Sequence, residues 1–149
     1  MTPTLLGRWQ TRIFLLATVG TLVTWLFVVG IVGGHPSLDY WWVLLYVGLL
    51  GIGWDVIYNF LIQFMWDHDW PGIFQFAAAV VEGLFLGGIF WFFGLPPSVP
   101  QTHFMPILFI SHYSLVWVSI YCFSWVGMRL LFPRWRFRGG EWFGRWPRG

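Results

Sequence analysis

Two carboxylic acids interrupt otherwise apolar stretches of this 149-residue sequence. Asp55 and Glu82 lie on either side of the segment WDHDWP, residues 66–71, and are equally far from its centre. If the apolar stretches are two helices joined by this segment as a tight turn, the two acids lie at the same level. Asp55 is then about 11 residues, or roughly 16 Å, from the turn, which is close to the middle of a lipid bilayer.

A pair of carboxyl groups at that depth can handle protons. An ionised acid at the centre of a membrane helix costs on the order of 2.5–3.5 kcal/mol, and neighbouring carboxylates also repel each other. We therefore expect one of the two to be neutral at pH 7, or the pair to share a proton. One interpretation is a proton-handling or general acid–base site, and the other is hydrogen bonding that holds the helices together. A metal site is not predicted, because two carboxylates and a distant histidine are too few ligands.

Other polar residues share the faces of these two acids. Asn59 and Gln63 follow Asp55 at intervals of four residues, about one helical turn, and Tyr58 lies beside Asn59. Gln75 lies seven residues, or two turns, before Glu82 and shares its face. The polar lining predicted for the site consists of Tyr58, Asn59, Gln63 and Gln75.

The fourth apolar stretch adds His112 and Tyr113 as candidate catalytic residues. The sequence has no lysine, and Arg129 lies near the end of that stretch. His112 is therefore the remaining candidate partner for the two acids, although it lies nearer to the opposite surface. A buried histidine can also ligate haem or a pigment, so the cofactor stays unknown.

The composition indicates that lipid surrounds most of the chain. Hydrophobic residues make up 58% of it and charged residues 9%, whereas soluble domains have roughly 25% charged residues. About 20 apolar residues cross a bilayer, and four stretches are long enough: residues 13–34, 40–66, 71–94 and 104–132. We therefore predict that residues 1–132 form an all-α, antiparallel bundle of four transmembrane helices, because the connections between them are short.

The arginines predict the orientation of these helices. Arg8 and Arg12 precede the first stretch, and the other arginines end or follow the fourth. By the positive-inside rule both termini are cytoplasmic, in what we expect to be a bacterial inner membrane, and tryptophans near the ends of the stretches form an aromatic belt. The tail, residues 133–149, is predicted to bind the lipid surface rather than nucleic acid through Arg134, Arg136, Arg138, Arg145 and Arg148.

One short phrase suggests a chemistry. WDVIYN, residues 54–59, is followed by a glutamate in the next apolar stretch. In this phrase the sequence resembles membrane-embedded cyclases and isomerases of isoprenoids, although no family is recognised. The resemblance implies buried acids that protonate an alkene.

Three functions stay open, and so does the question of whether the chain is an enzyme. Glycines 30 and 34, and 83, 87 and 88, are spaced for close helix approach, which suits an accessory or scaffold subunit of a larger inner-membrane assembly. The second function is an oligomeric, proton-linked transporter or channel that uses Asp55 and Glu82. The third is a lipid or isoprenoid enzyme in which the same carboxyl groups act as general acid and base.

Overall fold

The computed structural model describes residues 4–65, 72–94, 105–134 and 140–141. Within these ranges the regular elements are all helices. Four helical spans are long and apolar enough to cross a membrane: Leu5–Val28, Asp39–Ile62, Gly72–Phe93 and Pro106–Leu131. This confirms the prediction of an all-helical protein with four segments of membrane-spanning length.

The first span consists of three parts. Helix α1, Leu5–Leu15, leads through a π-helical turn, Leu16–Gly20, into α2, Thr21–Val28. Thr4 caps α1, because its hydroxyl accepts a hydrogen bond from the backbone N–H of Gly7 at 3.0 Å. The first span therefore starts before residue 13, where the apolar stretch was expected to begin.

The first span also ends earlier than expected. The helix stops at Val28, and Gly30 and Gly33 follow with φ angles of 82° and 84°. Such left-handed conformations are easily adopted by glycine and end a helix. The glycine spacing at residues 30 and 34 therefore belongs to a turn rather than to the face of a helix.

The remaining spans are α3, Asp39–Ile62, α4, Gly72–Phe93, and α5, Pro106–Trp125, which continues into the short α6, Gly127–Leu131. Proline suits the first turn of α5, where its missing N–H is not needed. Helix α3 ends at Ile62, short of the expected residue 66. The WDHDWP segment and most of the C-terminal tail, residues 135–139 and 142–149, lie outside the described residues.

The spans α3 and α5 contact each other and lie between the first span and α4. The first span lies against α3 and α5, and α4 also lies against α3 and α5. Leu16 is close to Gly48, Gly20 to Leu44, and the ring of Phe27 lies 5.2 Å from that of Tyr40. Along this interface the residue numbers rise in the first span while those of their partners on α3 fall.

The interior has an apolar part and a polar part. The apolar part is a cluster of buried side chains on α3, α4 and α5: Val43, Leu86, Phe90 and Phe109. The polar part lies further along the same helices, around Asp55 and Glu82. Large apolar side chains cover the outside of all four spans, as in Leu22, Leu84 and Ile107, which are 68%, 73% and 71% exposed. A surface of this kind suits lipid as the surrounding solvent.

Candidate functional site

The polar part of the interior is organised by Arg12 of α1. Its Nε donates to Asp55 Oδ2 at 2.8 Å and its Nη2 donates to Asp55 Oδ1 at 2.9 Å. The two planar groups therefore meet edge to edge with two parallel hydrogen bonds, the arrangement for which a guanidinium is best suited. Asp55 is buried, with 4% of its surface exposed.

The same guanidinium also holds Glu82 of α4. Nη1 donates to Glu82 Oε2 at 3.1 Å, and Nη2 donates to Glu82 Oε1 at 3.3 Å. A guanidinium has five N–H donors, and these four hydrogen bonds occupy most of them. Arg12 therefore joins three of the four spans at one point.

A glycine on α3 makes room for the arginine. A Cβ atom at Gly51 would lie 2.8 Å from Arg12 Cζ and 3.0 Å from Arg12 Cδ, which is too close for atoms that are not bonded. Gly51 lies one helical turn before Asp55, so both residues face the first span. The bare backbone at this position lets the arginine side chain pass α3 on its way to both carboxylates.

Further polar side chains surround the ion pairs. Arg8, one turn before Arg12, interacts electrostatically with Asp55. Tyr58 and Tyr113 both interact with Glu82, and the Tyr113 hydroxyl donates to the backbone carbonyl of Ala79 at 2.8 Å. With both acids ionised, the two arginines and the two carboxylates balance to zero net charge, which lowers the cost of placing ions inside a membrane protein.

The partner of the two acids differs from the one expected from the sequence. A shared proton or His112 was the expected compensation, whereas in the structure the guanidinium of Arg12 is bound to both carboxylates. Arg12 was not expected at this site, because the hydropathy pattern places it before the first span. One signal could have found it: Arg8 and Arg12 are four residues apart, on one face, directly before a stretch that faces two uncompensated acids.

His112 lies in the other part of the interior. It is 1% exposed, its Nε2 is 3.0 Å from Thr24 Oγ1, and its ring lies against Phe27 and Tyr40 at 5.0 and 5.1 Å. Among the described residues its Nδ1 has no hydrogen-bond partner. The structure thus brings Asp55, Glu82, Tyr58 and Tyr113 together and places His112 with residues of the first span and α3.

The rest of the predicted polar lining is less enclosed. Asn59 and Gln75 are half-buried, and Gln63 is exposed just beyond the end of α3. Arg134 is exposed as well. Four arginines of the predicted lipid-binding tail lie outside the described residues: Arg136, Arg138, Arg145 and Arg148.

The glycines of α4 serve mainly contacts inside the molecule. A Cβ at Gly83 would lie 2.7 Å from Tyr113 Cε1, and one at Gly87 would lie 3.0 Å from Phe109 Cε1. Nothing lies within 4 Å of such a Cβ at Gly88. Gly83 and Gly87 therefore let α4 approach α5 closely.

The arrangement can do one thing directly, which is to hold charges and helices in place. Among the described residues there is no group of three or more His, Cys, Asp or Glu side chains that could hold a metal ion. Comparison of the chain with protein-family models, with curated proteins and with solved structures finds no match.

Proposed function

We propose that this chain is an integral membrane protein that acts as an accessory or scaffold subunit of a larger assembly in a bacterial inner membrane. The observation that carries the proposal is the bridge from Arg12 to Asp55 and Glu82. Both carboxylates are bound to a cation of the same chain, so they join three spans instead of being presented to a substrate. Removing one partner of a buried ion pair strongly destabilises the protein, because the other charge is left uncompensated. This suits a structural role for the bridge.

We further propose that the four spans are antiparallel and that both termini are cytoplasmic. The opposed numbering of the contacts between the first span and α3 supports this arrangement. The start of the first span also lies beside the residues that follow the last, since Thr4 donates to Glu141 at 2.6 Å and the ring of Phe14 is 6.0 Å from that of Phe132. Arginines occur at both of these ends, as the positive-inside rule requires for the cytoplasmic side.

The C-terminal tail is proposed to bind the anionic lipid surface. Arg134 is exposed where the last helix has ended, and an arginine near such a surface contributes about 1 kcal/mol. The tail is also attached to α1, because Thr11 donates to the carbonyl of Gly140 at 3.2 Å. Residues 140 and 141 thus lie beside the first two turns of α1.

The transporter and enzyme hypotheses both require a further step. In each of them it is not enough that a carboxyl group exchanges a proton, because the group must also meet a substrate or a transported ion after it has left the Arg12 guanidinium. The scaffold proposal needs no such encounter. We therefore place it first among the three functions.

Native mass spectrometry of the protein, extracted gently from its own membrane, tests the proposal. The chain would carry an affinity tag, and an unrelated tagged membrane protein of similar size would serve as the control. A complex with other subunits, absent from the control, is the expected result. A bare monomer, or an oligomer of this chain alone, would contradict the accessory role and favour the transporter and enzyme hypotheses, in which Asp55 and Glu82 act directly.

A further inference from the structure

Arg12 does not hold its two acids equally. Its hydrogen bonds to Asp55 are 2.8 and 2.9 Å long, whereas those to Glu82 are 3.1 and 3.3 Å long. Hydrogen bonds between a nitrogen cation and a carboxylate are usually about 2.7–2.9 Å. Asp55 therefore has bonds of full strength, and Glu82 has the weaker pair.

The surroundings of the two carboxylates differ in the same direction. The side chain of Asp55 is 5% exposed and that of Glu82 is 12% exposed. Asp55 has a second cationic neighbour in Arg8. Glu82 faces Arg12 from α1, Asp55 and Tyr58 from α3, and Tyr113 from α5, so Arg12 is the one cation that faces it among the described residues.

Protonation of Glu82 disturbs the hydrogen bonds around Arg12 less than protonation of Asp55 does. On Asp55 a proton would weaken the two shortest hydrogen bonds and leave Arg8 and Arg12 with only one carboxylate, which is the more weakly bound one. On Glu82 it would weaken the two longest bonds and leave Arg12 attached to Asp55. The hydroxyl groups of Tyr58 and Tyr113 lie beside Glu82, and a phenol oxygen can accept a hydrogen bond from a protonated carboxyl group.

We propose that Glu82 is a proton-binding site whose protonation detaches α4 from Arg12, while Arg12 and Asp55 stay paired. The proton comes from hydronium in the surrounding water and turns one carboxylate oxygen of Glu82 into a hydroxyl. That oxygen no longer accepts from the guanidinium, and the remaining carbonyl oxygen, without the negative charge, is a weaker acceptor. Helix α4 keeps its apolar contacts with α3 and α5, so only the polar part of the interior opens. This inference goes beyond the scaffold proposal, because it depends on the ion pairs and not on any partner.

The composition allows the proton to be observed directly. Glutamate occurs only at positions 82 and 141. A Glu141→Gln variant made by cell-free synthesis with glutamate labelled with ¹³C in its side-chain carboxyl group, with glutamine synthetase and transaminases inhibited, therefore carries the label at Glu82 alone. Its ¹³C signal in liposomes would be followed by solid-state NMR as the pH is lowered. Circular dichroism at each pH would show that the helices persist.

The opening is measured in the same pH range with two spin labels. Ile13 of α1 and Leu84 of α4 are both exposed and lie close to the ion pairs in sequence, so Ile13→Cys and Leu84→Cys supply the labels after Cys122→Ser removes the native thiol. The expected result is a protonated signal at Glu82 together with a longer label distance, with the same midpoint. In Glu82→Gln the longer distance should be present at every pH.

Two results would overturn the proposal. The first is that Glu82 stays ionised over the whole range in which the protein remains helical. The second is that it is protonated with no change in the label distance. Both results come from measurements on protein that keeps Glu82. The proposal can therefore be tested even if the Glu82→Gln variant does not fold. Neither result depends on whether native mass spectrometry finds other subunits.

Discussion

The side chain of Arg12 passes the backbone of Gly51 through the space that a Cβ atom would otherwise occupy. A Cβ there would lie 2.8 Å from Arg12 Cζ and 3.0 Å from Arg12 Cδ. Gly51 is also one turn before Asp55, the acid to which Arg12 is most tightly bound. The position of the charged group in this molecule thus depends on a residue that has no side chain.

Gly51→Ala should therefore destabilise the protein. The methyl group displaces Arg12 and weakens a buried ion pair, whose complete loss costs about 3–5 kcal/mol. We expect a loss of about 2 kcal/mol or more in the free energy of unfolding, measured by denaturant titration in mild detergent. Gly53→Ala on the same helix is the control, since nothing lies within 4 Å of a Cβ there, and it should gain up to about 1 kcal/mol. Equal effects of the two substitutions would contradict the role of Gly51.

Arg12→Met should be among the most damaging single substitutions. It leaves Asp55 with Arg8 as its cationic neighbour and Glu82 without the cation that binds it, and breaking a buried pair costs about 3–5 kcal/mol. Adding Glu82→Gln restores a balance of one cation and one anion, and should recover a substantial part of the loss. Arg12→Lys keeps the positive charge but should still destabilise the protein, because an ammonium group cannot form two parallel pairs of hydrogen bonds. A stable Arg12→Met protein would show that the ion pairs do not hold the spans together.

The contact between α4 and α5 makes a prediction about Gly83. Its Cβ would lie 2.7 Å from Tyr113 Cε1, so Gly83→Ala forces the tyrosine ring aside and weakens its hydrogen bond to Ala79. Overpacking of this kind typically costs about 1–3 kcal/mol. Gly88→Ala is the matched control on the same helix, because that position is open. If thermal unfolding shows both variants to be as stable as the parent, α4 does not pack on α5 in this way.

Thr24→Val tests the buried pair in the apolar part of the interior. The substitution keeps the shape of the side chain but removes the partner of His112 Nε2, and should cost about 1–2 kcal/mol. Thr18→Val is the control, since the Thr18 hydroxyl is exposed and bonds to the carbonyl of Phe14 in its own helix. The effect of Thr24→Val should shrink in a His112→Phe background, because the pair is already lost there. Full additivity of the two changes would mean that the hydrogen bond contributes nothing.

The fold was largely predictable because lipid imposes simple rules. A helical chain that crosses a bilayer must do so in long apolar helices, and four apolar stretches within residues 13–132 are visible in the sequence. The ends of the helices were not predictable to the same extent. The first span contains Arg12, and a hydropathy pattern excludes an arginine unless its compensating charges on other helices are known.

The candidate site was predictable only in part for the same reason. Asp55 and Glu82 are expected to lie at the same level because they are equally far in sequence from the short connection between their helices. This separation is a local property of the chain. The cation that binds them comes from a helix that is distant in sequence, and its path depends on Gly51. Composition cannot show such a tertiary relationship, although the shared face of Arg8 and Arg12 indicates which way the two side chains point.

The most direct test of the bridge is a distance measurement by solid-state NMR in lipid bilayers. The protein would carry ¹⁵N in its arginine side chains and ¹³C in its aspartate and glutamate carboxyl groups, with Asp55→Asn and Glu82→Gln used to assign the signals. We expect dipolar coupling from guanidinium nitrogen to the carboxyl carbons of both Asp55 and Glu82, and its loss from Glu82 in Arg12→Met. Carboxyl carbons that show no coupling to arginine nitrogen at neutral pH would contradict it.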